Sequence, residues 1–478
     1  MVDFTAYADL DATALAGEVR RGRLSCEEIA DTAQRAIALL NPRINAFVST
    51  EIFTGKTLPD GPFRGVPIAL KDCIADMKGA EFSFGSRLAN GTVAACEGEI
   101  VTRLRKSGFQ LLGLTNVPEL SSSVTTEPVL HGPAHNPWAL GHSTGGSSGG
   151  AAAAVAAGLV PVAYANDGAG SIRVPASCCG VFGLKPSRGR IPTGPDKNDY
   201  WHGLVCHNVL TRTVRDCAAV MDATAGLDVG APYAAPPLQR PLAAELGKPV
   251  HGLRVHYCLD APNGVPVSED CRAAVLSAAE LLDDLGCIVS EARPTWDGKH
   301  LDDVTALIGV SLASDLPAFS KATARAVGPE TVERCNLAWA ERGARLPATE
   351  LQRILYGFGR LGRELGRFFA GCDLLLTPTL ALPPPPHGWL DADSGDLDDY
   401  LGRFWRFSPF APLANVTGVP AMAVPLYWNA DGLPIGVMFT ARYGDEATLI
   451  RMASALEAER PWIGRHPPHS LWHAQDTA

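Results

Sequence analysis

Short apolar runs alternate with stretches of helical periodicity along most of the chain, and this alternation predicts the fold class. Short continuous apolar runs bounded by Gly, Pro or polar residues are typical of buried strands. They lie at residues 65–70, 109–114, 161–165, 181–184, 252–258, 374–377, 421–425 and 435–440. Because helix-like segments separate most of these runs, we predict an α/β protein in which helices cover the sheet.

Helix-like segments fill the intervals between the predicted strands. One is marked by a capping box, in which Ser25 begins the helix and Glu28 follows three residues later. This helix is predicted to end at Asn41–Pro42, because proline disrupts a helix interior. Further helices are predicted at residues 13–21, 97–106, 150–157, 214–224, 268–285 and 446–457, and residues 300–370 are expected to be mostly helical.

The chain of 478 residues contains no internal repeat and no long polar linker. This length suffices for two or three average domains or for one large α/β domain. Because no linker divides the chain, we predict a single domain over residues 1–478. It would carry an N-terminal helical segment at about 1–62 and a variable, mostly helical region at about 230–400.

Composition and charge argue against several classes of protein. The net charge of −10 is unlike that of a nucleic-acid binder, whose affinity comes mainly from basic contacts to phosphate. The longest apolar run, residues 151–165, is too short to span a bilayer, and the first residues do not resemble a secretory signal. We therefore expect a cytoplasmic protein with neither a nucleic-acid nor a membrane partner.

The twelve cysteines are scattered and are expected to be reduced, buried thiols. Two of them, Cys178 and Cys179, are adjacent, which disfavours disulfide pairing of both. The sequence contains neither a C-x-x-C pair nor an H-E-x-x-H motif. We predict no metal site and no cofactor.

The segment Gly141–Lys185 is rich in Gly, Ser and Ala and holds the candidate chemistry. Such a composition builds a poor core, so we interpret it as a place where the backbone comes close to a ligand. Gly141–Gly145 fits the G-x-S-x-G pattern of a nucleophile elbow, but the turn His135–Ala139 precedes it instead of a buried strand. The glycine-rich run also lacks the ending of a phosphate-binding P-loop.

Two serines that follow glycine, Ser147 and Ser171, combine better with the upstream Lys71. A serine hydroxyl is a weak nucleophile until a base takes its proton, and no histidine is obviously placed to do so. Lysine can serve when it is neutral, and burial at the end of the apolar run 66–70 would favour that form. The loop Asp167–Ser171 is small enough for backbone N–H groups to converge on one oxyanion.

Several motifs, occurring in order, resemble the amidase signature family. The resemblance spans residues from about 13 to 460 and implies that family's fold, a large mixed twisted β-sheet covered by helices on both faces. It also implies a hydrolase that cleaves a linear or cyclic carboxamide. The motifs lie at residues 67–72, 145–150, 170–173, 180–186, 417–420, 431–436 and 445–449.

The resemblance assigns a Ser–cisSer–Lys triad. Ser171 would be the nucleophile, Ser147 the bridging serine after a cis peptide bond with Gly146, and Lys71 the base. The oxyanion hole would be formed by the backbone N–H groups of Gly168, Ala169, Gly170 and Ser171.

Other residues are predicted to support this site. Asp167 and Arg173 match the acid and the arginine that hold the oxyanion loop, and Ser148 is placed to cap the helix that follows. Three more residues align with substrate-facing stretches, although a plain loop role is an equal alternative for each: Ser121, Ser122 and Thr144.

One departure from the family pattern concerns the pocket. Many members read Asp-Thr/Ile-Gly-Gly-Ser where this chain reads Asp167-Gly-Ala-Gly-Ser171, which implies a different pocket shape and the same reaction. The strings 166–180 and 187–190 resemble the branch of the family that cleaves nylon-type oligomer amides.

Two alternatives stay open. The glutaminase subunit of a tRNA-dependent amidotransferase shares the signature and works with partner subunits. A catalytically inactive binding protein of the same fold is the other alternative. For the amidase itself, the expected partner is a small-molecule amide, and the resemblance suggests a homodimer.

Overall fold

The computed structural model describes residues 2–53, 58–74, 76–195 and 199–474. Within this part of the chain, strands and helices alternate much as the apolar pattern predicts. The strands in chain order are β1 (Phe47–Ile52), β2 (Pro67–Lys71), β3 (Glu81–Phe82), β4 (Thr92–Val93), β5 (Gln110–Thr115), β6 (His135–Asn136), β7 (Ala139–Ser143), β8 (Val162–Asp167), β9 (Phe182–Lys185), β10 (Cys206–Thr211), β11 (Arg254–Tyr257), β12 (Ile288–Glu291), β13 (Leu374–Pro378), β14 (Ala421–Trp428) and β15 (Pro434–Ala441).

Eleven of these strands form one mixed sheet in the order β1-β5-β2-β8-β10-β9-β14-β15-β13-β11-β12. Strands β5, β2 and β8 are parallel neighbours, as are β13, β11 and β12, while the pairs between β8 and β13 are antiparallel. The prediction of a large mixed sheet with covering helices is confirmed. Every residue of β2 and β8 is buried, which explains their continuous apolar sequence.

Fourteen α-helices accompany the strands in the described residues. They are α1 (Phe4–Asp9), α2 (Ala12–Arg20), α3 (Cys26–Ile44), α4 (Glu99–Lys106), α5 (Gly149–Ala156), α6 (Arg173–Cys179), α7 (Val214–Thr224), α8 (Glu269–Asp284), α9 (Lys299–Thr323), α10 (Arg334–Ala344), α11 (Ala348–Phe368), α12 (Leu397–Phe407), α13 (Pro412–Thr417) and α14 (Glu446–Glu459). None of the described helices is long and apolar enough to cross a membrane.

The predicted capping box at the start of α3 is present, but the predicted end of this helix is wrong. Helix α3 continues past Pro42 to Ile44, and Asn45 ends it in the left-handed conformation. The side chain of Asn41 exchanges two hydrogen bonds with the backbone of Phe47, at 2.8 and 2.9 Å. These bonds between Asn41 and Phe47 hold the last turn of α3 in place. Pro42 is therefore tolerated in that turn.

The parallel strands β2 and β8 bring the candidate chemistry to one edge of the sheet. Lys71 ends β2, and Asp167 ends β8. Because the carboxyl ends of parallel neighbours meet at the same edge, residues nearly a hundred positions apart come together there. Helices α5 and α6 begin just after Ser147 and Ser171. A second apolar cluster, built largely from α9, α10 and α12, also includes Ala169 of the loop before Ser171.

Candidate active site

Lys71 lies at the base of the candidate site, where it has no exposed surface. Its Nζ is 2.7 Å from Ser147 Oγ and 2.8 Å from Asn166 Oδ1. Burial lowers the pKa of the Lys71 ammonium, and the nearby Cys73 and Asp167 offset this only in part. Burial therefore shifts Lys71 toward the neutral amine relative to an exposed lysine, and this amine contacts a serine hydroxyl.

Ser147 is presented by a glycine-rich turn that packs tightly against the backbone of the loop at Thr125. The Gly146–Ser147 peptide bond is cis, as the family resemblance implies. A Cβ atom on Gly146 would lie 2.4 Å from the carbonyl oxygen of Thr125, so no side chain fits there. The close approach of two backbone segments, more than any need for flexibility, accounts for this glycine.

Asp167 and Arg173 form a fully buried ion pair, with 2.9 Å between Nη2 and Oδ1. Burial alone would raise the pKa of Asp167, but the charge and hydrogen bonds of Arg173 and a hydrogen bond from Asn415 hold it well below its usual range. Arg173 also donates to the carbonyl oxygen of Ala411 at 2.7 Å. The carboxylate is thus ionised and fixes the loop that carries Ser171.

One of the four predicted oxyanion donors is already occupied. The N–H of Gly170 donates to Asp167 Oδ1 at 2.7 Å, which differs from its expected role. Within the described ranges, the N–H groups of Gly168, Ala169 and Ser171 have no hydrogen-bond partner. Because a carboxylate competes strongly for a nearby donor, the candidate oxyanion hole reduces to these three.

A cavity of about 530 Å³ opens onto this loop, with Ser147, Asn166, Gly168 and Ser171 on its wall. No hydrogen bond joins the hydroxyls of Ser147 and Ser171 in the part of the chain that the structure describes. Much of the remaining wall is apolar, and it includes Ile74, Phe84, Val93, Leu120, Trp201, Val205, Val310 and Phe319.

The structure places one of the three candidate substrate contacts at this cavity. Ser121 lines it, with Oγ 3.0 Å from Cys73 Sγ. Ser122 does not line it, because its buried hydroxyl is held by the Glu119 carbonyl and by Asn336 Oδ1. Thr144 is also buried away from it, and its hydroxyl bonds to a neighbouring carbonyl oxygen. The structure therefore does not bring Ser122 or Thr144 to the cavity, and their hydroxyls are bonded to protein groups instead.

The supporting role of Ser148 also differs from expectation. It directly precedes α5, but its side chain makes no capping hydrogen bond. Instead its Oγ lies 3.4 Å from the carbonyl oxygen of Asn166, the residue that contacts Lys71. Ser148 therefore braces the end of β8, and the N-terminus of α5 is held by Thr126, whose Oγ1 accepts from Gly149 N–H at 3.2 Å.

Two asparagines of the site were missed by the sequence reasoning. Asn166 accepts from Lys71 and directs its Nδ2 toward Cys73 Sγ at 3.6 Å. Asn415 donates to the side chain and the backbone of Asp167, at 2.8 and 2.9 Å. Asn166 directly precedes Asp167, which the motif identifies, so its position was a usable signal. Nothing in the sequence connects Asn415 to the loop 248 positions earlier.

A buried carboxyl group, Asp72, lies directly after the lysine. It accepts from the N–H of Ser83 at 2.9 Å and contacts the Ser83 hydroxyl, which is 2.8 Å from His131 Nε2. Burial raises the pKa of Asp72 from 3.8 to about 6, although the Ser83 bonds oppose this. The protonated form is favoured by folding, so its stabilising contribution is full below pH 4 and is lost as the pH rises through 6.

Asp72→Asn is therefore expected to be more stable relative to the wild type at pH 7 than at pH 4. The relative gain is about 2 kcal/mol, since each pKa unit corresponds to about 1.4 kcal/mol and the unfolded-state carboxyl is partly ionised at pH 4. Denaturant unfolding of both proteins at the two pH values measures this. The exposed Asp60→Asn is the control and should show no such change. An Asp72→Asn difference that does not vary with pH would contradict the prediction.

Comparison with known proteins decides the family. The Amidase family model matches residues 28–450, which is most of the chain. The chain belongs to the amidase signature family. It is 37% identical to 6-aminohexanoate-cyclic-dimer hydrolase of Paenarthrobacter ureafaciens over 96% of both chains, and 33% identical to an acylamidase of Rhodococcus erythropolis over 97% of this chain and 98% of that one.

The amidase also shares its fold with solved relatives. A structure of 6-aminohexanoate cyclic dimer hydrolase superposes with a TM-score of 0.90 at 34% identity, covering 98% of this chain and 100% of the other. The protein is thus an amide hydrolase of the amidase signature family, related to the branch that the sequence motifs indicated. Among the described residues, no group of three or more His, Cys, Asp or Glu is arranged to hold a metal ion.

Proposed function

We propose that this amidase cleaves a linear or cyclic carboxamide through an acyl-enzyme on Ser171, with Ser147 and Lys71 as the proton relay. The observation that carries the proposal is the 2.7 Å contact between Lys71 Nζ and Ser147 Oγ, placed behind a cavity whose wall also holds Ser171. This contact joins a buried amine to the hydroxyl next to the nucleophile, as a proton relay requires.

The proposed reaction begins with transfer of the Ser171 proton to Ser147 as Ser147 passes its own proton to neutral Lys71. The Ser171 oxygen bonds to the amide carbon, and the carbonyl oxygen becomes an oxyanion facing the free N–H groups of the loop. When the carbon–nitrogen bond breaks, the amine leaves with the proton returned through Ser147. Water then attacks the ester along the same relay and releases the carboxylic acid.

The missing hydrogen bond between the hydroxyls of Ser147 and Ser171 is compatible with these reaction steps. Catalytic hydrogen bonds are often long in an empty site and shorten when the substrate binds. Ser147 is held in place by Lys71, so the movement falls to Ser171, whose side chain lies at the cavity surface. Ser147 Oγ has its Lys71 contact already made, and the second contact is the one that substrate would complete.

Asn166 supports a neutral Lys71 in this scheme. A neutral amine has two N–H donors and one lone pair. Donation of one N–H to the Asn166 carbonyl oxygen, at 2.8 Å, helps to orient the lone pair toward Ser147. An acid in this place would stabilise the ammonium form and remove the base, so an uncharged acceptor suits the proposed chemistry.

The wall of the cavity supports an amide with an aliphatic part as substrate. Much of it is apolar, and the solved relative of high similarity is named for hydrolysis of the 6-aminohexanoate cyclic dimer. Hydrolysis of amides of 6-aminohexanoate, cyclic or linear, is therefore proposed for this chain. The cytoplasmic location and the homodimer remain predictions.

Two measurements on the purified protein test the proposal. A fluorophosphonate probe is expected to label Ser171, located by peptide mass spectrometry, and the cyclic and linear 6-aminohexanoate amides are expected to be cleaved faster than glutamine or aryl amides. Rapid ammonia release from glutamine, without cleavage of the other amides, would favour the glutaminase alternative. No labelling and no turnover would favour the inactive binding protein and reject the proposal.

A further inference from the structure

The wall of the cavity next to the nucleophile is formed by a tryptophan that lies against a glycine. A Cβ atom built on Gly168 would lie 2.9 Å from Trp201 Cε3, 3.0 Å from Trp201 Cζ3 and 3.0 Å from Val205 Cγ2. Gly168 and Trp201 line the same cavity as Ser171. The indole ring thus occupies the space that any side chain at position 168 would need, three residues before the nucleophile.

The backbone at Gly168 does not itself require glycine. Its φ is outside the left-handed region, so an alanine could adopt the same backbone conformation. The nearest obstacles to a side chain are the indole ring of Trp201 and a methyl group of Val205. This makes Gly168 and Trp201 a pair whose sizes must match, and the pair can be tested by exchanging volume between them.

The loop that carries Trp201 is held in an unusual conformation. Trp201 and His202 both have positive φ, at 52° and 53°, which costs on the order of 1–2 kcal/mol for each residue that has a side chain. Such strained positions persist only where surrounding contacts enforce them, and they occur frequently at ligand sites. Arg188 supplies one such contact, since its Nε donates to the Gly203 carbonyl oxygen at 2.6 Å.

A shared anchor joins the tryptophan loop to the oxyanion loop. The side-chain amide of Asn415 donates to the Leu204 carbonyl oxygen at 3.1 Å and to the Asp167 carbonyl oxygen at 2.9 Å. The two loops are therefore fixed relative to each other through one residue. A rigid aromatic face beside the candidate oxyanion hole can select substrates by shape, because it cannot retreat cheaply.

We propose that Gly168 and Trp201 form a subsite that selects the acyl half of the substrate. The subsite takes an unbranched, uncharged methylene chain next to the scissile carbonyl and excludes a branch at the first carbon. It rests on the proposed function, because it assumes that Ser171 carries the acyl group. The free N–H of Gly168 would hold the carbonyl oxygen, so the first carbon of the acyl chain passes closest to the indole ring.

A set of four proteins tests the subsite: wild type, Gly168→Ala, Trp201→Ala and the double variant. Gly141→Ala is the matched control, because a Cβ atom there has nothing within 4 Å. The substrates are anilides with one constant amine and acyl groups that are unbranched or branched at the first carbon. Because only the acyl group varies, a change in the ratio of their kcat/KM values reports on the acyl side.

The wild type is expected to prefer unbranched acyl groups by about tenfold or more, as one methyl group at a rigid wall changes discrimination by about 10- to 200-fold. Trp201→Ala should reduce this ratio by about tenfold, mainly by faster cleavage of the branched anilides. Gly168→Ala should lower kcat/KM for all acyl groups, and the double variant should recover part of that loss. Gly141→Ala should match the wild type.

Three results would overturn the subsite. An unchanged ratio in Trp201→Ala would do so, provided that circular dichroism shows a folded protein. A double variant no better than Gly168→Ala would do so as well. Trp201→Phe retains an aromatic ring and should keep most of the preference, so complete loss there would point to a folding role instead. Absence of both labelling and turnover in the wild type would reject the proposed function itself, which distinguishes the two failures.

Discussion

Replacement of Ser171 by alanine is expected to lower kcat/KM for amide hydrolysis by about 10⁴-fold or more, because the bond-forming oxygen is lost. The free backbone N–H groups at positions 168, 169 and 171 remain in this variant, so weak residual turnover by water is the expected floor. The fold should survive, since Ser171 lies at the cavity surface and Asp167 continues to hold the loop. Steady-state kinetics and circular dichroism measure both.

The proposed proton relay can be tested more sharply by combining the Lys71 and Ser171 substitutions in one protein. If Lys71 and Ser171 act as one unit, the double variant Lys71→Met/Ser171→Ala should be no slower than either single variant. Ser122→Ala is the matched control, a nearby buried serine that does not line the cavity, and it should stay within a few fold of the wild type. Wild-type rates in Ser171→Ala, or losses that multiply in the double variant, would reject the relay.

Replacement of Arg173 by methionine is expected to lower the free energy of unfolding by about 3–5 kcal/mol. This is the usual cost of removing one partner of a buried ion pair. The guanidinium has no exposed surface and is bonded to Asp167, Asn415 and the Ala411 carbonyl oxygen. Its loss leaves a buried carboxylate without its ion-pair partner. Denaturant unfolding followed by circular dichroism gives the difference.

Two comparisons separate this effect from a general loss of packing. Arg342→Ala breaks an ion pair with Asp398 whose side chains are 52% and 83% exposed, and it should cost no more than about 1 kcal/mol. The double variant Asp167→Asn/Arg173→Met removes both charges and should recover part of the loss. An Arg173→Met protein as stable as Arg342→Ala would show that the buried charge matters less than its geometry indicates.

The sequence predicted best those elements that consist of a continuous apolar run or a short recognisable motif. Strands β2 and β8 are buried on both faces and read as apolar runs, and the two serines stand in short motifs at the start of helices. The motifs place Lys71, Ser147 and Ser171 in one site because strand ends and helix starts meet at the same edge of a parallel pair. The family resemblance added what spacing alone could not, namely the order of the proposed proton relay.

The elements that were missed are those where tertiary contacts override composition. Strand β10 is fully buried, yet its sequence is half polar, because Asn208 donates to the Leu184 carbonyl oxygen and His207 bonds to Tyr164. No local pattern reports such partners. The same holds for the Gly170 N–H, which donates to the carboxylate of Asp167 and is therefore not free for the candidate oxyanion hole. Sequence spacing shows that donors can converge, whereas it does not show which one is already used.

The late position of Asn415 in the chain has a consequence for the order in which the enzyme is assembled during synthesis. It is the anchor of both loops beside the nucleophile, and it follows Asp167 by 248 positions. During synthesis on the ribosome, the segment with the nucleophile emerges long before this asparagine does. The oxyanion loop and the tryptophan loop therefore reach their final arrangement only after most of the protein has been made. A growing chain that already carries Lys71, Ser147 and Ser171 would thus still lack the anchor between the two loops, and we expect activity to arise only late in its synthesis.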